Sequence, residues 1–148
     1  MPALPCGAWA VDLDNDGDLE LLALHGKEDY PQRTGLAVLY ENIGEAAGLT
    51  LTLVASAGPP HGLGALVTLQ RAALTDPTAV QIRQVRSTSS YWNSTVLPLH
   101  FGVGADRGPF IADIKWPGGG HQRITLPLAG RAYRITEGSA AVVMLPRE

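Results

Sequence analysis

In the segment Leu49-Thr50-Leu51-Thr52-Leu53, every second residue is a leucine. That period of two suits a half-buried β-strand, because successive side chains leave opposite faces of a sheet. The same alternation runs through residues 65–69 and through Leu36, Val38 and Tyr40 in residues 35–40, while residues 80–85 alternate with a mixed face. Further strand-like runs occupy residues 9–11, 19–24, 96–101, 111–116, 122–126, 132–135 and 141–145. Turn residues punctuate them, as in Gly58-Pro59-Pro60-His61-Gly62 and Pro117-Gly118-Gly119-Gly120, with Trp116 expected in the core beside the second turn. Ser87-Thr88-Ser89-Ser90 reads as a polar loop, as does 25–34 with Pro31 inside it. No segment sustains a helical period. Short strands at regular intervals predict an all-β fold, a β-sandwich or barrel.

The strands divide into two groups. Residues 1–47 hold three of them, closed by Glu41-Asn42-Ile43-Gly44. A unit this small is unstable alone and must bury its apolar faces against something else. Residues 48–148 hold the rest and form the larger β domain. A composition of 45% hydrophobic and 17% charged residues is that of a folded chain rather than a disordered tail.

Charge sharpens the division. Residues 1–50 carry nine acids against Lys27 and Arg33, a balance of −7, and residues 51–148 carry nine bases against five acids, a balance of +4. The bases are spread singly with no dense patch, which argues against nucleic-acid binding. One cysteine, Cys6, excludes an internal disulfide. No stretch reaches membrane-spanning length, and the start carries no basic-then-apolar signal segment.

The acids of the first group concentrate in Asp12-Leu13-Asp14-Asn15-Asp16-Gly17-Asp18-Leu19-Glu20. Carboxylates at loop positions 1, 3 and 5 (Asp12, Asp14, Asp16) converge when the chain wraps around one point. A glycine at position 6 permits the sharp reversal, and the carbonyl of Asp18 with the acid Glu20 can complete an oxygen cage. So many carboxylates repel one another unless a cation sits between them. Calcium suits such an irregular, oxygen-rich shell better than magnesium does. An EF-hand is excluded: its bidentate glutamate would fall at Ala23, and the flanks read as strands.

This loop between short strands, followed by Leu39-Tyr40-Glu41-Asn42-Ile43-Gly44, resembles a single VCBS/FG-GAP repeat. The downstream chain resembles the ASPIC/UnbV domain of the cartilage acidic protein-like family, through Gly62-Leu63-Gly64-Ala65, His100-Phe101-Gly102-Val103-Gly104, Ile114-Lys115-Trp116-Pro117-Gly118 and Ile135-Thr136-Glu137-Gly138. The resemblance implies a three-strand, propeller-blade-like unit followed by a β domain. It also implies a secreted or surface-exposed, calcium-binding, non-enzymatic module. With one repeat only, a closed propeller is impossible within the chain.

Other chemistry has less support. The four histidines lack zinc-type spacing, and no Gly-x-Ser-x-Gly elbow is present. Tyr91 and Trp92, with Trp116 and Tyr133, are candidates for a sugar-stacking platform, and Asn93-Ser94-Thr95 fits an N-glycosylation acceptor. The expectation is an extracellular calcium-binding protein of adhesion or self-assembly, its partners further copies of itself, surface proteins or glycans. The −7/+4 asymmetry favours head-to-tail docking, which gives a filament when it does not close. The alternative is a carbohydrate-binding module.

Overall fold

The computed structural model describes residues 4–14, 16–26, 36–44, 47–73, 80–90, 93–94 and 98–145. Three short strands come first: β1 (Leu4–Val11), β2 (Glu20–Gly26) and β3 (Leu36–Tyr40) form an antiparallel sheet in that order. Then follow β4 (Ala47–Val54), β5 (Leu66–Arg71), β6 (Gln81–Gln84), β7 (Thr88–Ser90) and β8 (Asn93–Ser94). The last five are β9 (Leu99–Gly104), β10 (Phe110–Lys115), β11 (His121–Leu126), β12 (Arg131–Thr136) and β13 (Val142–Leu145). Two four-stranded sheets, β13-β12-β4-β9 and β11-β10-β5-β6, make the larger domain a sandwich rather than a barrel.

The alternation that predicts the strands also selects their buried faces. Leu49, Leu51 and Leu53 of β4 point inward with Phe101 of β9 and with Tyr133 and Ile135 of β12. They meet Val67, Leu69, Ala112 and Ile114 of the opposing sheet in one continuous core. Trp116 joins that core as expected, 4% exposed, with its indole N–H donating to Gln122 Oε1 at 3.0 Å. Its backbone closes the following turn through Trp116 N–H to the Gly120 carbonyl. Tyr133, fully buried, donates its hydroxyl to the Leu128 carbonyl at 2.9 Å. Neither Trp116 nor Tyr133 is therefore available to a sugar-stacking platform.

Several features depart from the reading of the sequence. The strand expected at residues 9–11 begins at Leu4, and β2 continues through His25 and Gly26 of the expected loop 25–34, because backbone pairing extends past the apolar run. Residues Thr88–Ser90, expected as loop, form β7 and pair with β8 as a two-stranded ribbon. Short polar residues carry no apolar rhythm, so such a ribbon leaves no periodic signal. The run expected at residues 96–101 is described from Pro98, and its strand, β9, begins at Leu99 and continues to Gly104. β12 also lies parallel to β4, although every other paired neighbour among the described strands is antiparallel.

One open side of the sandwich, between the edge strands β6 and β9, is bridged by side chains. Gln81 of β6 donates to the Gly102 carbonyl of β9 at 2.7 Å, and the Arg83 guanidinium lies 5.6 Å from the Phe101 ring centroid. The N-terminal sheet, by contrast, has no extensive strand-to-strand contact with the sandwich among the described residues. It meets the sandwich through the acidic loop and the adjoining end of β1.

Candidate metal centre

The loop folds by local rules. Asp14 accepts the Asp16 N–H at 3.2 Å, and Asp16 accepts the Asp18 N–H at 2.9 Å, two successive side-chain-to-backbone turns that curl the chain. Gly17 then adopts φ 97°, a left-handed conformation that a side chain would strain. Glu20, the first residue of β2, reaches back seven residues so that its Oε2 accepts the Leu13 N–H at 2.8 Å, which closes the loop.

This curl brings the five predicted carboxylates together in two overlapping groups, Asp12–Asp14–Glu20 and Asp16–Asp18–Glu20, with oxygens within 4.8 Å of one another in each. Asp14 and Asp16 are exposed, but Asp18 and Glu20 are only 7% and 3% exposed. One oxygen of each, with one of Asp12, is buried without a hydrogen-bond partner. The carbonyl of Asp18 is the ligand that the spacing suggests; in the fold its carboxylate faces the cluster as well.

The electrostatics follow. Burial pushes the Asp18 carboxyl up to about 6, and the Asp16 and Glu20 charges add to the effect. Asp12 is raised too, first by burial and then by its acidic neighbours, against the lowering effect of the Gly17 N–H. Protons are held more tightly here than in water because the negative form is starved of solvent and crowded by like charge.

The loop's seat on the sandwich was not legible as a site in the sequence. Gly48, on β4, is buried, and a Cβ there would collide with the Gly17 carbonyl and the His100 ring. Thr50 Oγ1 lies 3.4 Å from His100 Nδ1, and Asp12, Val11 and Leu19 border the same recess with Ala132 of β12. Burial lowers the His100 pKa; the Asp12 charge opposes this and Arg83 reinforces it. A glycine at the start of an otherwise regular strand was the available signal, since it marks close backbone approach.

Of the remaining candidates, Asn93 opens β8 opposite Ser90, while Tyr91 and Trp92 lie outside the described residues. Among the described residues, the groups of potential metal ligands that converge are these two acidic ones.

The family model described as ASPIC and UnbV matches residues 55–142, well over half of the chain. The match begins just after β4 and reaches the first residue of β13, so the acidic loop lies outside it. No curated protein matches the chain.

Proposed function

The chain belongs to the ASPIC and UnbV family, and from that premise we propose that it is an extracellular or cell-surface, calcium-binding interaction module that acts in adhesion or self-assembly and not in catalysis. The observation that carries this reading is the pair of buried carboxylates, Asp18 and Glu20, each with an oxygen that no protein donor satisfies. Burying an uncompensated carboxylate costs several kcal/mol, and two of them beside Asp12, Asp14 and Asp16 compound the penalty. A divalent cation offsets it.

Calcium–oxygen distances of about 2.3–2.6 Å place ligand atoms on opposite sides of the ion about 4.6–5.2 Å apart. In each of the two groups the carboxylate oxygens lie within 4.8 Å of one another, close enough to share such an ion. Asp12, Asp14, Asp16, Asp18 and Glu20 would hold the ion, whose charge would tie the loop into one rigid piece. Because the loop rests on β4 at Gly48, calcium would also fix the N-terminal sheet to the sandwich. The loop and its flanking strands β1 to β3 support assigning residues 1–47 to a VCBS/FG-GAP-like unit.

The test is thermal melting in calcium, in magnesium and in chelator. Free calcium at about 100 times its Kd stabilises by about 2.7 kcal/mol, which for this size of chain raises Tm by roughly 5–11 °C. Asp14→Ala should erase the difference between calcium and chelator. Identical melting of the parent protein in both would remove the basis for a calcium site.

A further inference from the structure

A sheet edge presents unpaired N–H and C=O groups, and stable proteins blunt such edges with proline, charge, a bulge or a covering element. The three larger sheets here have six edges. β1 carries Pro5 and a register irregularity between Pro5 and Gly7. β11 carries His121 and Arg123, both facing Asp113. β6 and β9 cover one another through Gln81 and Arg83, and the pairing of β9 with β4 is broken by a bulge. Among the described residues, the edges β3 and β13 have none of these devices.

The segment Leu36–Tyr40 contains no charge, proline, glycine or register shift, and neither does Val142–Leu145. Both expose large apolar side chains: Leu36 (59%), Leu39 (53%) and Tyr40 (53%) on β3, and Val143 (53%) and Met144 (46%) on β13. The exposed residues lie on both faces of each strand, so added pairing would bury apolar surface above and below the seam. The two edges also differ in charge. β3 runs directly into exposed Glu41. β13 lies against β12, which presents Arg131 and Arg134 and no acid.

We propose that β3 of one copy pairs edge to edge with β13 of a second copy, joining the three-stranded sheet of the first to the four-stranded sheet β13-β12-β4-β9 of the second. Main-chain hydrogen bonds between five- and four-residue strands provide the attachment, and cross-strand apolar pairs on both faces add to it. Opposite charge selects β3-to-β13 over either edge with itself. The contact is head-to-tail, so a pair of copies keeps one free β3 and one free β13, and the assembly extends. The inference rests on reading the chain as a self-assembling module and names the surface that does it.

The experiment is sedimentation of the full chain from about 1 µM to about 1 mM, with Leu39→Lys and Val143→Lys as variants. Both positions are exposed, and unchanged melting of the variants at low concentration verifies their folds. The parent protein should form concentration-dependent oligomers, and each single lysine should weaken association by about tenfold or more. An equimolar mixture of the two variants should then form a one-to-one pair and nothing larger, because Leu39→Lys retains β13 and Val143→Lys retains β3. A parent that stays monomeric throughout would overturn the proposal. So would variants that assemble like the parent, a mixture that fails to pair, or disruption by Leu39→Lys alone, which would place some other strand on β3. Melting the monomeric variants in calcium and in chelator separates the two readings: a calcium effect without association defeats only the edge pairing, and association without a calcium effect defeats only the calcium site.

Discussion

Gly48→Ala puts the docking of the acidic loop to a direct test. The added Cβ has two obstacles, the His100 ring and the Gly17 carbonyl. A ring can swing aside at modest cost, but the carbonyl belongs to a backbone turn held at φ 97°. The strand itself is tethered, because the Gly48 carbonyl accepts the Gly130 N–H at 2.7 Å. Overpacking of this kind costs typically about 1–3 kcal/mol, and a backbone obstacle places the cost in the upper half of that range. Restricting the unfolded chain returns about 0.4–1 kcal/mol. The net loss is roughly 1–2.5 kcal/mol, or a Tm lower by roughly 2–10 °C. The matched control is Gly102→Ala, since Gly102 faces Gly48 across the β4–β9 pair and a Cβ there meets nothing within 4 Å. Adding His100→Ala to Gly48→Ala should recover part of the loss and not all of it, because the carbonyl remains. The assay is thermal melting followed by circular dichroism in chelator. A Gly48→Ala protein that melts with the parent, or a Gly102→Ala protein that falls as far, would refute the docking argument.

Two further outcomes are expected, beside those for calcium and for assembly. A carboxyl whose folded pKa is raised binds its proton more tightly folded than unfolded, so stability is gained as pH falls through the folded value toward the unfolded one. For Asp18 that window runs from about 6 down to the ordinary value of 3.8, with Asp12 shifted the same way. His100, held below 6.5 by burial, works in the opposite direction over the same range, so the comparison is made in a His100→Gln background. In chelator, the Tm of that protein should rise between pH 7.5 and about pH 5, and the increment from calcium should shrink as protons compete for the same oxygens; a steady fall of Tm in chelator would contradict this. Gln122→Leu removes the acceptor of the Trp116 N–H and of the Gly138 N–H, together with the donor to the Thr136 and Ser139 carbonyls. Leaving the buried indole N–H without a partner costs about 1–3 kcal/mol, so Tm should drop by roughly 2–12 °C with a change in the near-ultraviolet signal of Trp116. A shift under about 1 °C would mean that water replaces Gln122 without loss.

The acidic loop and most strands are legible in the sequence because both are written in local spacing. Leu49, Leu51 and Leu53 declare a buried face through a period of two, whatever they pack against. The order of carboxylates around Gly17 declares a loop that curls them inward, and the hydrogen bonds Asp14–Asp16 and Asp16–Asp18 span only two residues. Trp116 beside Pro117 and three glycines announces a core residue at a tight turn in the same way.

Only the tertiary structure decides what lies beside what. The parallel pairing of β12 with β4 joins residues about eighty apart in the chain, and no periodicity within either strand records it. The seat that Gly48 and His100 provide exists because the loop is carried onto β4. That β3 and β13 are edges at all depends on which strands found neighbours and which did not. Alternation and turn chemistry act over a few residues, so a sequence states them openly. Neighbourhood in space arises from long-range chain closure, and a single sequence leaves it unwritten.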